Sequence, residues 1–143
     1  MKKHIIFTGR RCTGKSLFAK LIFDSQTTLF VDGRFFRNDH HSYASDREKW
    51  DYKNVVVDDL RPSIEIESLY SNIFHDTMII DRQGREVEIV KTPRHIFVLN
   101  SIPVETSITA TFKRRFHVFD FDKDPISDLM KIIHDEKIII KTL

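Results

Sequence analysis

Short apolar runs recur along this chain, each closed by a polar or turn-forming residue, with helical spacing in several of the intervals between them. His4 to Thr8 (HIIFT) is β-branched and aromatic and stops at Gly9, which predicts a buried strand. After Gly14, apolar residues at Leu17, Phe18, Leu21 and Ile22 repeat at helical spacing, so strand, glycine loop and helix follow one another directly. Thr28 to Val31 predicts a second strand stopped by Asp32 and Gly33, and Asn54 to Leu60 (NVVVDDL) a third with an apolar body and an acidic end. Between them, Arg34 to Lys53 is polar with scattered histidines and aromatics, and reads as a long loop with room for one short helix.

Pro62 suits the first turn of a helix running through Leu69, Ile73 and Phe74. Met78 to Val90 alternates on either side of a polar tip containing Gly84, the pattern of a hairpin. His95 to Leu99 is another buried strand, ending at Asn100, Ser101 and Pro103. A short helix over Glu105 to Lys113 leads to an alternating strand, Phe116 to Phe121. Asp124 and Pro125 open a last helix, and Lys137 to Ile140 is a candidate for one more strand. Strands alternating with helices indicate an α/β fold with a mostly parallel sheet, here as a single domain over residues 1–143.

Composition narrows the functional classes. At 143 residues the chain can enclose a core without a metal or disulfide staple, and 41% hydrophobic with 31% charged residues is ordinary globular usage. No apolar run is long enough to cross a bilayer or act as a signal peptide, and the single cysteine, Cys12, fits a reducing compartment. A cytoplasmic chain without a membrane partner is expected. The 23 Lys and Arg residues against 21 Asp and Glu give a net charge of +2, so any nucleic-acid contact must come from a local patch. His40 and His41 are adjacent but lack the companion spacing of a zinc site.

The strongest chemical signal is Gly9-Arg10-Arg11-Cys12-Thr13-Gly14-Lys15-Ser16, a full match to the Walker A pattern G-x-x-x-x-G-K-[ST]. A random chain of this length carries the pattern roughly once in two hundred, and the strand before it and helix after it make chance rarer still. Such a loop turns backbone N–H groups inward around phosphate oxygens. Gly14 permits close approach, Lys15 places a cation on the β- and γ-phosphates, and Ser16 can hold Mg²⁺. Candidate nucleotide contacts are therefore Gly9, Arg10, Arg11, Cys12, Thr13, Gly14, Lys15, Ser16 and Leu17. Arg10 and Arg11 either reinforce phosphate binding or simply face solvent.

The strand Val55-Val56-Val57 ending in Asp58 and Asp59 has the form of a Walker B element. Asp58 could hold Mg²⁺ through its water shell, and Asp59 is placed to polarise the attacking water. Asn100 closes the next buried strand, where a neutral polar group can orient that water; the bland alternative is ordinary turn chemistry. Lys113-Arg114-Arg115 is a solvated basic corner or an arginine finger offered to a neighbouring subunit. The tip Arg82-Gln83-Gly84-Arg85 is an inert polar turn or a contact for a nucleic-acid backbone.

Taken in order, these elements resemble superfamily 3 helicases, the AAA+-related motors of replication initiators in small circular single-stranded DNA viruses and plasmids. The resemblance rests on GRRCTGKS, on NVVVDDL with its paired acids, and on REKWDYKN ahead of that strand. It continues through the hairpin MIIDRQGREVEIV, the motif C-like TPRHIFVLNS and the arginine-bearing KRRFHVFDF, reaching from about Lys3 to Asp122. It implies a P-loop NTPase, AAA+-like three-layer sandwich with a β-hairpin inserted before the sensor strand. It also implies ATP and Mg²⁺ as ligands, bound between subunits of a ring, often a hexamer, that moves on single-stranded or forked DNA. Lys15 and Ser16 would then bind ATP and Mg²⁺, Asp58 and Asp59 would serve metal and water, and Asn100 would be the sensor. Arg114 or Arg115 would be the trans finger, and Arg82, Gln83 and Arg85 would touch DNA. A separate replication-initiator nuclease is an expected partner, and the host nucleus replaces the cytoplasm if the source is viral. A small P-loop kinase and a nucleotide-gated assembly module are the competing readings.

Overall fold

Five of the apolar runs become five parallel strands of one sheet. The computed structural model describes residues 2–11, 13–37, 39–61, 73–100 and 110–141. Its elements are β1 His4–Thr8, α1 Lys15–Ile22, β2 Thr28–Asp32, β3 Asn54–Asp58, β4 Thr77–Ile80, β5 Glu88–Lys91, β6 Arg94–Val98, α2 Ala110–Arg115, β7 Phe116–Asp120 and α3 Ile126–Asp135. The sheet order is β2-β3-β6-β1-β7, and β4 and β5 pair separately as an antiparallel hairpin. The chain is thus an α/β fold with a parallel five-stranded sheet. The helix expected after Pro62 falls outside the described residues except at Ile73, as does the first part of the helix expected from Glu105.

The central strands β1, β3 and β6 are buried on both faces, and the strands' period of two sorts the core into two halves. Ile5, Phe7, Val56, Ile96, Val98 and Phe119 point to the side covered by α1 (Ala19, Phe23) and α3 (Leu129, Ile133). Ile6, Val55, Val57 and Phe97 point to the other side. That second side is covered largely by the segment between β2 and β3, through Phe36, Tyr43, Trp50 and Tyr52, and by Met78, Ile80 and Val90 of the hairpin. Among its described residues this long connection holds no helix, and its aromatics form an edge-to-face chain: Phe36 to Tyr43, Tyr43 to Trp50, and Trp50 to Tyr52. Residues 138–140 do not add a strand. Ile138 packs into the helical side, and the Lys141 N–H donates to Ile22 O at 2.7 Å, which ties this segment to the end of α1 instead of to a sheet edge.

Helix α1 forms as the spacing of Leu17, Phe18, Leu21 and Ile22 predicts, but only part of that apolar set faces the core. Those two leucines are 63% and 59% exposed, while Lys15 and Ala19 are buried and Phe18 and Ile22 pack at the edge of the core. The cause is the loop before it: burying Lys15 at the first position fixes the rotation of every later residue.

At the N-terminal ends of β1 and β6, two buried histidines have fixed tautomers. His4 Nδ1 accepts the His95 backbone N–H at 2.8 Å, so its Nε2–H donates to Ile73 O at 2.8 Å. His95 Nδ1–H donates to Pro93 O at 3.0 Å, so its Nε2 accepts the Tyr43 hydroxyl at 3.0 Å. Every ring nitrogen is used in the neutral form, and a second proton on either ring would face a donor. Burial lowers both pKa values, that of His95 to about 4, and raises that of Tyr43. In the unfolded chain a histidine titrates near 6.5. Stability is therefore full above about pH 6.5 and falls as the pH drops towards 4, because only the unfolded state takes up the protons. The slope is about 1.4 kcal/mol per pH unit for each histidine. Urea unfolding at pH 7 and pH 5 is expected to show this loss, and His95→Gln to reduce it. An unchanged midpoint between the two pH values would contradict the assignment.

Candidate phosphate-binding site

Parallel pairing aligns the C-terminal ends of the strands on one edge of the sheet. Thr8 is level with Asp120, Phe7 with Val98, and Asp32 with Asp58. Because β6 lies between β1 and β3, Asn100 emerges between the glycine loop that follows β1 and the acidic turn that follows β3. Loops outside the carboxyl ends of such a sheet are where ligands bind.

The loop is held in shape by two glycines and a lysine. Gly9 (φ 140°) and Gly14 (φ 84°) adopt backbone conformations that side chains disfavour. At Gly9 space is short as well, since an added Cβ would lie 3.3 Å from Phe121 Cβ. The buried Lys15 ammonium donates to Gly9 O at 2.8 Å, Arg10 O at 2.6 Å and Thr13 Oγ1 at 3.2 Å. It thus sits at the centre of the loop, where a phosphate group would be cradled. Cys12 lies outside the described residues.

Three other predicted residues converge on the same place. Ser16 Oγ donates to Asp58 Oδ1 at 2.6 Å, joining the loop's hydroxyl to the strand-end carboxylate. Asp59 and Asn100 line one cavity of about 330 Å³ together with Arg11, Thr13, Gly14, Lys15, Ser16 and Leu17. Asp59 has a φ of 57°, a left-handed conformation that Asp tolerates better than most residues and that is enriched at functional sites. The Ser16–Asp58 pair, two hard oxygen groups in contact, suits Mg²⁺, which takes few protein ligands and completes its shell from phosphates and water. Among the described residues, no cluster of three or more His, Cys, Asp or Glu residues offers an alternative metal site.

Apart from Arg11, which lines the cavity, the candidate arginines are placed otherwise. Arg10 leans away from the cavity: its Nε lies 3.1 Å from Asp122 Oδ1, and its backbone N–H donates to Asp122 Oδ2 at 2.8 Å. These bonds, the backbone one foremost, lower the Asp122 pKa. This tie between the loop and the end of β7 had no signal in the sequence, because the partners are far apart along the chain. Arg82, a candidate nucleic-acid contact, is turned inward: its side chain is 3% exposed, pairs with Glu88 at 2.6 Å and donates to the Arg47 and Glu48 carbonyls. Arg85 likewise donates to Arg47 O and Asp46 O, leaving Gln83 exposed at the tip. These two arginines pin the hairpin to the segment before β3, since carbonyls there need donors. Arg115 lies over the Phe74 ring at 4.6 Å, whereas Arg114 is exposed. Both precede β7 and so stand at the opposite end of the sheet from the glycine loop.

The fold and this edge define an α/β layout with a mostly parallel sheet, consistent with a Rossmann- or P-loop-like arrangement. No family model matches the chain, and no curated protein matches it. Solved structures do. An A-form apo structure of the NrS-1 C-terminal region aligns with a TM-score of 0.56 at 18% identity, covering 94% of this chain and 34% of that one. A second A-form apo structure of that region gives a TM-score of 0.54 at 14% identity, covering 95% and 34%. The chain spans about a third of the length of those structures, and the likeness is one of fold.

Proposed function

We propose that this chain binds ATP with Mg²⁺ at the glycine loop and hydrolyses it to drive movement on DNA during replication. The observation that carries the reading is the Ser16–Asp58 hydrogen bond beside a cavity that Lys15, Asp59 and Asn100 share. In this reading the loop N–H groups and Lys15 hold the β- and γ-phosphates and stabilise charge as it shifts. Ser16 and Asp58 would hold Mg²⁺, which when bound neutralises phosphate charge. Asp59 accepts a proton from the attacking water as its oxygen bonds to the γ-phosphorus and the bond to the bridging oxygen breaks, giving ADP and phosphate. Asn100 orients that water without adding charge.

The motif order that resembles superfamily 3 helicases supplies the motor and DNA parts of the reading. Arg114 is exposed and sits at the far end of the sheet from its own glycine loop, which is compatible with the role of a finger offered to a neighbour's phosphate. The reading takes this finger to work in a ring of identical subunits with sites shared between them.

The test is release of free phosphate from ATP, with and without single-stranded DNA. Turnover is expected to rise with DNA and to fall roughly 10²–10³-fold in Lys15→Ala, the cost of losing one charge-stabilising donor. ADP formed with a phosphorylated small molecule and no free phosphate would replace the motor with a kinase. ATP binding without turnover under either condition would overturn hydrolysis by this chain.

A further inference from the structure

The end of the sheet opposite the glycine loop carries a groove of about 550 Å³ lined by Lys2, Lys49, Lys53, Lys91, Arg94 and Lys137. Five separate segments contribute these cations: the amino terminus, the approach to β3, the end of β5, the start of β6 and the turn after α3. Two acids also line the groove, and both are already neutralised. Asp51 pairs with Arg47 at 2.8 Å, and Glu88 with Arg82 at 2.6 Å. Lys49, Lys53, Lys91 and Lys137 are exposed, and no acidic side chain among the described residues pairs with them. Lys2 Nζ is anchored on Thr92 O at 2.8 Å, and Arg94 spans Lys3 O and Glu136 O and is itself paired with the Glu136 carboxylate at 3.7 Å, so the unpaired charge of the groove is that of its lysines. Burial, then the charges of Arg94, Lys91 and Lys53, lower the Lys2 pKa, with Asp76 acting in the other direction.

Like charges gathered in one groove repel, and folding has placed them together while occupying the acids that could have relieved them. In a chain whose net charge is only +2, this one groove thus gathers four lysines without an acidic partner among the described residues. The rim adds exposed apolar surface at Ile89 and Ile139, which are 74% and 48% exposed.

We propose that this groove is the seat of a single-stranded DNA backbone, with Lys49, Lys53, Lys91 and Lys137 on its phosphates and the apolar rim against sugars and bases. Cations combined with apolar surface suit a single strand better than an acidic peptide, which offers no flat apolar faces. The choice of DNA as the polyanion rests on the motor reading, and it moves the contact from the hairpin tip to the groove beneath it. Strands β3 and β6 separate the groove from the phosphate site by roughly 16 Å, at about 3.3 Å per residue. The two anions therefore do not compete.

The test is anisotropy of a fluorescein-labelled oligothymidylate titrated with the whole chain across a range of salt. Lys53→Glu combined with Lys91→Glu is expected to weaken binding at least tenfold and leave ATP turnover without DNA unchanged. The milder Lys53→Gln with Lys91→Gln is expected to flatten the slope of log K against log salt by about 1.4, the value for two lost phosphate contacts. Oligothymidylate binding by the wild type that neither pair of substitutions weakens would overturn the groove, as would a wild-type chain that does not bind oligothymidylate. Tighter binding of polyglutamate than of oligothymidylate would overturn the choice of ligand. Groove-dependent DNA binding in a chain without ATP turnover would leave the groove standing and remove the motor.

Discussion

Asp59→Asn is expected to bind ATP about as well as the wild type and to release phosphate 10²- to 10⁴-fold more slowly, the usual worth of a positioned general base. The substitution suits the site for two reasons. Asparagine has the same shape and tolerates a φ of 57° at least as well as aspartate, so the turn after β3 is preserved. Asp58, which bonds Ser16, is untouched, so metal and phosphate binding should survive. Nucleotide affinity measured by calorimetry, beside free-phosphate release, separates the two roles. Loss of affinity matching the loss of turnover would assign Asp59 to binding and remove it as the base.

The second large effect is expected at Gly33, which has no chemistry of its own. A Cβ there would lie 2.6 Å from each of three backbone atoms, Asp58 O, Leu60 N and Leu60 Cα. The Gly33 N–H also donates to Asp58 O at 2.5 Å, and the Leu60 N–H to Val98 O at 2.9 Å, so the acidic turn is held from both sides. Backbone cannot rotate aside as a side chain can. Gly33→Ala must push the turn away from β2, costing on the order of 1–3 kcal/mol as overpacking does, and carrying Asp58 away from Ser16. Turnover should fall together with thermal stability. Gly14→Ala makes the comparison: nothing lies within 4 Å of its Cβ position, so its penalty is that of a positive φ alone, about 1–2 kcal/mol. A Gly33→Ala protein with wild-type stability and turnover would contradict the packing described for this turn.

The strand–glycine loop–helix arrangement was legible because its signal is local: strand, glycines, lysine and helix are neighbours in sequence, and the structure sets them in that order. Asp58, Asp59 and Asn100 were legible as strand ends, but their convergence was not. It depends on β6 lying between β1 and β3, a pairing of distant segments on which periodicity is silent. The same limit explains Arg82. A polar hairpin tip normally faces water, and it takes the carbonyls of Arg47 and Glu48, far earlier in the chain, together with the Glu88 carboxylate, to hold that guanidinium inward. Phe36, Tyr43, Trp50 and Tyr52 were read as aromatics scattered through a polar loop, because an irregular segment shows no period by which to assign a buried face. His4 and His95 lay inside apolar runs, and their pairing followed only from the register of neighbouring strands.

Under the proposed function, the setting of Lys15 has a further consequence for how nucleotide affinity is to be understood. Its ammonium is already bonded to two carbonyls and a hydroxyl of its own loop. An arriving phosphate must win the lysine from these partners, so affinity measures an exchange of one set of bonds for another. The loop is its own competitor. A change that loosened those internal bonds would tighten nucleotide binding with no new contact to the ligand, and one that strengthened them would weaken it with the whole phosphate cradle intact.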